Sequence, residues 1–506
     1  MLFNSFIFIF CFLPITMLGF HLLGLKGRRP VMAWLTFCSV VFYAVWNPVF
    51  VFFLLGSILV NYLVSIAIAR AEENSSLRRQ ILALGVALNL LALFYFKYLY
   101  KTLLLLHALH LPVPTLHNIL LPLGISFFTF TQISYLVDLA QGQAERQDLL
   151  SYLLFVTFFP HLIAGPILHH KEMMPQFAVG RRFQLVPADV SLGITWFLFG
   201  LGKKVLIADK LSGQADLAFA HAGSQTAASA WAGLIIYTMQ LYFDFSGYSD
   251  MALGLARIFS IRFPLNFDSP YKATSVTEYW QRWHMTLTRY VTLYLYNPIL
   301  LGIQRRRLAS GKKISRKALA TVGGFTAMVA YPTIITMLLT GLWHGAGLQF
   351  LLFGLLHGIY LTANQAWRHF RQRKKGVAPE PPTGPLRMAL RIGVYLQVSL
   401  ALIFFRADST HAAFAMLRDL LGGHGAGHIG SLLDGAFGLV LFPIVWFMPN
   451  TQQILGEEPS TSAAPSSLLP KLRWSPNLAW GLVMAVLFFA ILANLDHTSS
   501  FLYFQF

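Results

Sequence analysis

The sequence predicts an all-α, polytopic membrane protein, and three observations carry that prediction. Of 506 residues, 56% are hydrophobic and only 11% charged, too few to coat a water-facing surface when a soluble chain carries about a quarter. Mean hydropathy is accordingly high, at +0.59. Apolar runs near the roughly 17 to 25 residues that a bilayer requires recur along the chain. The excess of 38 Lys+Arg over 20 Asp+Glu, a formal charge of +18, punctuates those runs and does not gather on one solvated domain, which argues against nucleic acid as a partner and for membrane lipid.

Taken in order, the first run is Leu2 to Leu25. No positively charged segment precedes it, so a retained helix is expected and a cleaved signal peptide is not. The chain then leaves and re-enters between Val31 and Arg70, turning near Asn47-Pro48, with Val49 to Ala69 and Ile81 to Phe96 as the next spans. Between Leu120 and Leu301 the apolar text is interrupted by Pro, Gly, His and Asp, a pattern expected of short or broken helices lining a polar cavity. Further runs are Ala320 to Thr340, Leu348 to Ala363, Met388 to Phe405, Ser431 to Met448 and Ala479 to Leu495. Ten or more helices spanning or partly entering the bilayer are expected in one membrane domain, divided as 1–118, a central 119–370 and 371–506. Gly422 to Gly430, with His424 and His428, reads as an outer loop with no carboxylate or thiol nearby to complete a metal site. Glu457 to Pro476 reads as a flexible cytoplasmic connection. Cys11 and Cys38 sit inside apolar stretches and read as packing residues.

Orientation follows from the basic clusters, because Lys and Arg stay on the cytoplasmic side. These clusters are Lys26, Arg28 and Arg29; Arg70, Arg78 and Arg79; Arg305 to Arg307 with Lys312, Lys313, Arg316 and Lys317; and Arg368, Arg371 and Arg373 to Lys375. Both ends of the interval from Lys317 to Arg368 are basic, and it holds two apolar segments. The connecting turn, Gly341 to Gly347, is therefore expected away from the cytoplasm or sunk into the membrane from the far side.

Polar residues inside apolar text are where function concentrates in membrane proteins, since a charged side chain costs roughly 2.5 to 3.5 kcal/mol at a helix centre. Three groups qualify. In Gly341 to Gly347, Trp343 and His344 stand among glycines; imidazole can take and return a proton near neutrality, and a hydrogen-bonded core histidine is an equal reading of the same segment. In Tyr242 to Asp250, helical spacing pairs Asp244 with Tyr248 and Ser246 with Asp250 but points Asp244 and Asp250 in different directions. Either protein surrounds this helix or it breaks at Ser246-Gly247, and each Asp is read as tying it to neighbours. The third, Glu278 to His284, including Arg282 and Trp283, reads by composition as an interfacial helix with His284 facing water.

The order of these groups resembles the membrane-bound O-acyltransferase family, in particular its bacterial alginate O-acetylation branch. The matching text is Leu121 to Phe128, Phe159 to Pro166, Leu241 to Leu253, Trp280 to His284 and Gly341 to Ala346, with Phe501 to Phe506 at the end. The resemblance implies broken or re-entrant helices around a central tunnel, His344 as the catalytic histidine and His284 as a second. It implies an acetyl group taken from a cytoplasmic thioester, acetyl-CoA as donor substrate, with no permanently bound cofactor and no metal. It also implies a bacterial inner-membrane location, periplasmic or membrane-anchored acetyltransferase partners, and an exopolysaccharide acceptor such as alginate or cellulose. Trp343, Arg282, Trp283, Asp244, Ser246, Tyr248 and Asp250 are then tunnel or structural candidates.

The chain departs from that branch at two places. Val291 to Leu301 lacks the expected Arg-Asp pair and Gly-Gly turn, and His169-His170 stands where a basic residue is usual. Those departures leave the acceptor open. Two other functions fit the same residues: a transporter for an acyl carrier or polymer, which broken helices and buried Asp would also suit, and, within the family, D-alanyl transfer to teichoic acid.

Overall fold

The computed structural model describes residues 1–114, 119–178, 183–375, 382–428, 435–457, 472–497 and 501–502, and among them regular structure is helical, with no strand. Among the described residues, five helices have the length and apolarity to cross a bilayer: Val49–Arg70, Ser76–Lys97, Pro187–Ala220, Val322–His344 and Gly384–Arg406. Four shorter apolar helices, Phe8–Gly24, Ile125–Ala140, Ala436–Phe447 and Leu478–Leu492, accompany them. These five and four do not by themselves establish the ten or more expected to span or partly enter the bilayer. Ala436–Phe447 ends where Met448, before Pro449, turns to extended backbone (φ −75°, ψ 152°), at the expected end of the Ser431 to Met448 run, whose residues 431–434 lie outside the described residues. The expected Leu348 to Ala363 span is the apolar part of a 28-residue helix, Leu348–Lys375, that continues into polar sequence.

Local chemistry sets the helix starts. The Ser75 side chain accepts from the Arg78 amide and caps Ser76–Lys97. Arg78 itself is buried and donates to the Leu139 carbonyl at 2.7 Å, which ties the basic end of that helix to the end of Ile125–Ala140. Outward faces carry large apolar side chains, such as Phe52, Leu59 and Leu63 of Val49–Arg70, as a lipid-facing surface requires.

The helix Ala227–Ile258, 32 residues long, runs through the centre and is buried along nearly its whole length from Ala230 onward. It does not break at Ser246-Gly247; protein surrounds it. Gly247 is a contact and not a hinge, because a Cβ there would stand 2.8 Å from the Gly200 carbonyl. The reciprocal Cβ at Gly200 would meet the Gly247 carbonyl at 2.5 Å, so these helices approach backbone to backbone.

Two further expectations are corrected. Cys11 is exposed on the same outward face as Ile7 and Phe10, and only Cys38 is buried. A carboxylate does stand near the outer-loop histidines: His424 Nδ1 lies 2.7 Å from the buried Asp419. Residues 429–430 of that loop, 458–471 of the Pro- and Ser-rich stretch, and 503–506 at the C-terminus lie outside the described residues.

Candidate active site

His344 is the last residue of Tyr331–His344, and the backbone of Gly345 is extended (φ −173°). A helix leaves its final carbonyls without partners. Here Lys97 donates to the Trp343 carbonyl and Tyr98 donates to the Leu342 carbonyl at 2.9 Å. Lys97 ends the Ser76–Lys97 helix, far from Arg78 and Arg79 at its other end, so the turn sits at the end of the bundle remote from those basic residues. The turn is not open to water: His344 is only 5% exposed. Its ring packs edge-on against Trp343 (4.7 Å between centroids), Phe405 (4.9 Å) and Phe353 (5.9 Å). Gly341 allows the next helix to pass close by, since a Cβ there would stand 2.2 Å from the Phe350 carbonyl.

His284 is buried as well, at 1% exposure, and does not face water at an interface. It is a non-glycine residue in the left-handed region (φ 44°, ψ 52°) between the helices Val276–Trp280 and Met285–Val291, a conformation that persists only where the surroundings enforce it. Asn266 does so: its carbonyl accepts from the Met285 amide at 2.9 Å. Its Oδ1 accepts from Thr286 Oγ1 at 2.8 Å and lies 3.0 Å from His284 Nδ1, while Nδ2 donates to Ser249. Because Oδ1 can only accept, the hydrogen sits on Nδ1 and the lone pair on Nε2. Burial lowers the His284 pKa to about 3, keeping the imidazole neutral. Arg282 bridges Glu278 (3.0 Å) and Asp268 (3.3 Å), and Trp283 stacks on Tyr279.

A third histidine, His357, joins the other two. It is 1% exposed, accepts from Trp280 Nε1 at 3.2 Å, and packs on Phe353, the ring that also meets His344. Phe353 thus stands between His344 and His357, and Trp280 links His357 to the segment that carries His284. Sequence reasoning missed His357; the available signal was a histidine within the apolar run four residues after Phe353.

The structure brings Phe245 of the central helix against His284 at 4.8 Å, but it aims the carboxylates of that helix elsewhere. Asp244 binds Lys204 (2.7 Å) and the Leu502 amide (3.0 Å), while Lys204 also binds Asp209 (2.8 Å). Asp250 binds Lys203 (2.6 Å) and Thr451 (2.8 Å). Tyr248 packs between Phe3 and Phe501, and Ser246 is buried at 1% exposure. These contacts lock the central helix to the 203–209 segment and to C-terminal residues.

A cavity of about 660 Å³ opens beside the other end of Ile125–Ala140, lined by Asp138, His169, Lys171, Arg289, Tyr290 and Phe130 among others. The Phe130 ring stacks on Tyr290 (4.4 Å) and on Trp343 (5.3 Å). One aromatic stack therefore separates the cavity from the Trp343-His344 turn.

The model of the MBOAT, membrane-bound O-acyltransferase, family matches residues 92–315. A peptidoglycan O-acetyltransferase of Helicobacter pylori is 36% identical over 456 residues, which are 84% of this chain and 80% of that protein. This chain belongs to the membrane-bound O-acyltransferase family. A probable alginate O-acetylase, AlgI, of Pseudomonas aeruginosa is 36% identical over 422 residues, covering 82% of this chain and 74% of the relative. Its counterpart in Pseudomonas putida is 34% identical over 526 aligned positions, covering 100% of both. The family resemblance read from the sequence is thus correct, and the chain is a multi-pass membrane O-acyltransferase.

Proposed function

We propose that this O-acyltransferase takes an acetyl group from acetyl-CoA at the cytoplasmic face of a bacterial inner membrane and passes it to a hydroxyl on the far side. His344 is the general base of that transfer. The observation that carries the reading is its position: a buried imidazole at the end of the bundle remote from Arg78 and Arg79, one aromatic stack away from a cavity lined by Asp138, the neighbour of the Leu139 whose carbonyl Arg78 binds. A donor and an acceptor entering from opposite sides would meet there.

The chemistry requires little else. As the acceptor oxygen attacks the thioester carbonyl, the hydroxyl proton passes to the imidazole, the carbon–sulfur bond breaks, and the proton leaves with the thiolate. Close packing around His344 excludes water that would otherwise hydrolyse the thioester. His284, with its lone pair on Nε2, is the second histidine of the site. Lys171 at the cavity, whose partner is the neutral Gln143, would draw a phosphate-bearing donor.

The acceptor class is a sugar hydroxyl of an exported or cell-envelope polysaccharide. Relatives carry both alginate and peptidoglycan in their names, and transfer through a periplasmic or membrane-anchored partner acetyltransferase serves either. The test is His344→Ala in correctly inserted protein. Thiol release from acetyl-CoA and polymer O-acetylation should both fall by about 10² to 10⁴, the range for losing a general base. Persistence of either at the wild-type level sinks the assignment, and passage of acyl groups without thioester cleavage would favour a transporter.

A further inference from the structure

We propose a metal site at the cavity wall: Asp138, His169 and His170 bind one divalent transition ion of the Zn²⁺ class. The three residues come from two elements. Asp138 lies in the last turn of Ile125–Ala140, and the two histidines start the short helix His170–Met173 and the bend before it. Asp138 is 4% exposed and His170 4%, and one ligand atom from each of the three residues lies within 4.8 Å of the others.

The separations suit a shared ion. Four ligands about 2.0 to 2.1 Å from zinc stand about 3.3 Å apart. Asp138 Oδ2 is 2.9 Å from His169 Nε2 and 3.5 Å from His170 Nδ1, values on either side of that spacing. Tyr294 donates to the same Asp138 oxygen at 2.9 Å and lies 2.5 Å from His169 Nε2, so a single oxygen attracts three hydrogen-bearing groups that crowd one another. A cation at their centre replaces two of those protons and leaves Tyr294 as the outer hydrogen bond that orients the carboxylate. Neither ring nitrogen of His170 makes a regular hydrogen bond, with the Gln143 backbone as its other polar neighbour. A buried imidazole with so little satisfaction is unusual for a purely structural residue.

Of the two neighbouring cations, Arg289 is matched by a carboxylate and Lys171 is turned to an amide. Lys171 donates to Gln143 Oε1 at 3.0 Å, and Arg289 is paired in two bonds with Glu172. Two imidazoles and one carboxylate select a borderline transition ion over Mg²⁺ or Ca²⁺, which favour oxygen. Asp138 and His169 both line the cavity, which gives an ion a route to the site. Loading requires the hydrogen of His169 to move to Nδ1, which gives up the 3.3 Å contact from the Lys171 amide. No part of this depends on the role of His344.

The test uses the full chain in detergent, purified through a tag without histidines, stripped with chelator, exposed to ZnCl₂ and gel-filtered. One zinc per chain is expected in the wild type and in a His424→Ala control, and none in His169→Asn/His170→Asn. Equal zinc in wild type and double variant overturns the site, as does no retained zinc in the wild type. Should the double variant fail to elute as a folded protein, Asp138→Asn replaces it. Cobalt loading of the wild type gives an independent reading: intense visible bands of a four- or five-coordinate ion support the site, and their absence refutes it.

Discussion

Replacing Lys97 with Met removes the ammonium that caps the Trp343 carbonyl, one residue before His344. A hydrogen bond to a charged group contributes about 1.5 to 3 kcal/mol net, and its loss leaves a buried acceptor unsatisfied. The attraction between that ammonium and the negative end of the helix is lost with it. Tyr98 still holds the Leu342 carbonyl, so the turn should loosen at its final residue and not unwind. If the loss is expressed in the placement of His344, turnover falls roughly ten- to a hundredfold, since each 1.36 kcal/mol is a factor of ten. The assay is thiol release from acetyl-CoA by purified protein, read beside a thermal melt in the same detergent. Lys97→Arg keeps donors within reach of the carbonyl and should retain more activity than Lys97→Met. A Lys97→Met protein with wild-type turnover and wild-type melting temperature would refute the capping argument.

Two further outcomes are expected. Lys204→Met removes the cation that Asp244 and Asp209 share in the core and should destabilise by about 3 to 5 kcal/mol, as breaking a buried pair does. Restoration of the melting temperature by adding Asp244→Asn and Asp209→Asn would show the charge, and not the packing of Lys204, to be the cause; an unchanged melt in the single variant contradicts the network. His284→Asn places a residue that tolerates left-handed backbone at this position, so the protein should fold while turnover drops by about 10² or more if the imidazole takes part in proton transfer. Wild-type turnover in this variant removes His284 from the chemistry.

Much of the architecture and the family were legible in the chain itself. Apolar run lengths and scarce charge are averages over many residues, and they dictate a helical membrane protein because unpaired backbone groups cannot lie in lipid. Basic clusters likewise predicted which end of the bundle would hold the Gly341 to Gly347 turn, and Lys97 meets Trp343 at the end remote from Arg78. The motif text picked out His344 and His284 by resemblance. What composition could not decide was whether each polar residue faces water, lipid or protein. Glu278 to His284 reads as interfacial, yet a left-handed turn held by Asn266 buries its histidine. For Tyr242 to Asp250 the sequence left open a helix surrounded by protein or one broken at Ser246-Gly247, and the close approach of Gly200 from another helix shows the first.

The sequence by itself determined the environment, the helical fold class, the family and the residues where acyl chemistry is expected, because these depend on hydropathy, charge and local motifs. Only the tertiary structure decided which distant residues meet. It placed His357 beside Phe353 and Trp280, turned Asp244 and Asp250 toward Lys204 and Lys203, and set Asp138 against His169 and His170 across some thirty residues of chain. Nothing in the sequence pointed to a metal there: the carboxylate near His169-His170 in sequence is Glu172, which pairs with Arg289, and Asp138 lies some thirty residues away. Side-chain convergence is set by helix packing at ångström scale, and that information is spread over the whole core and carried by no single segment.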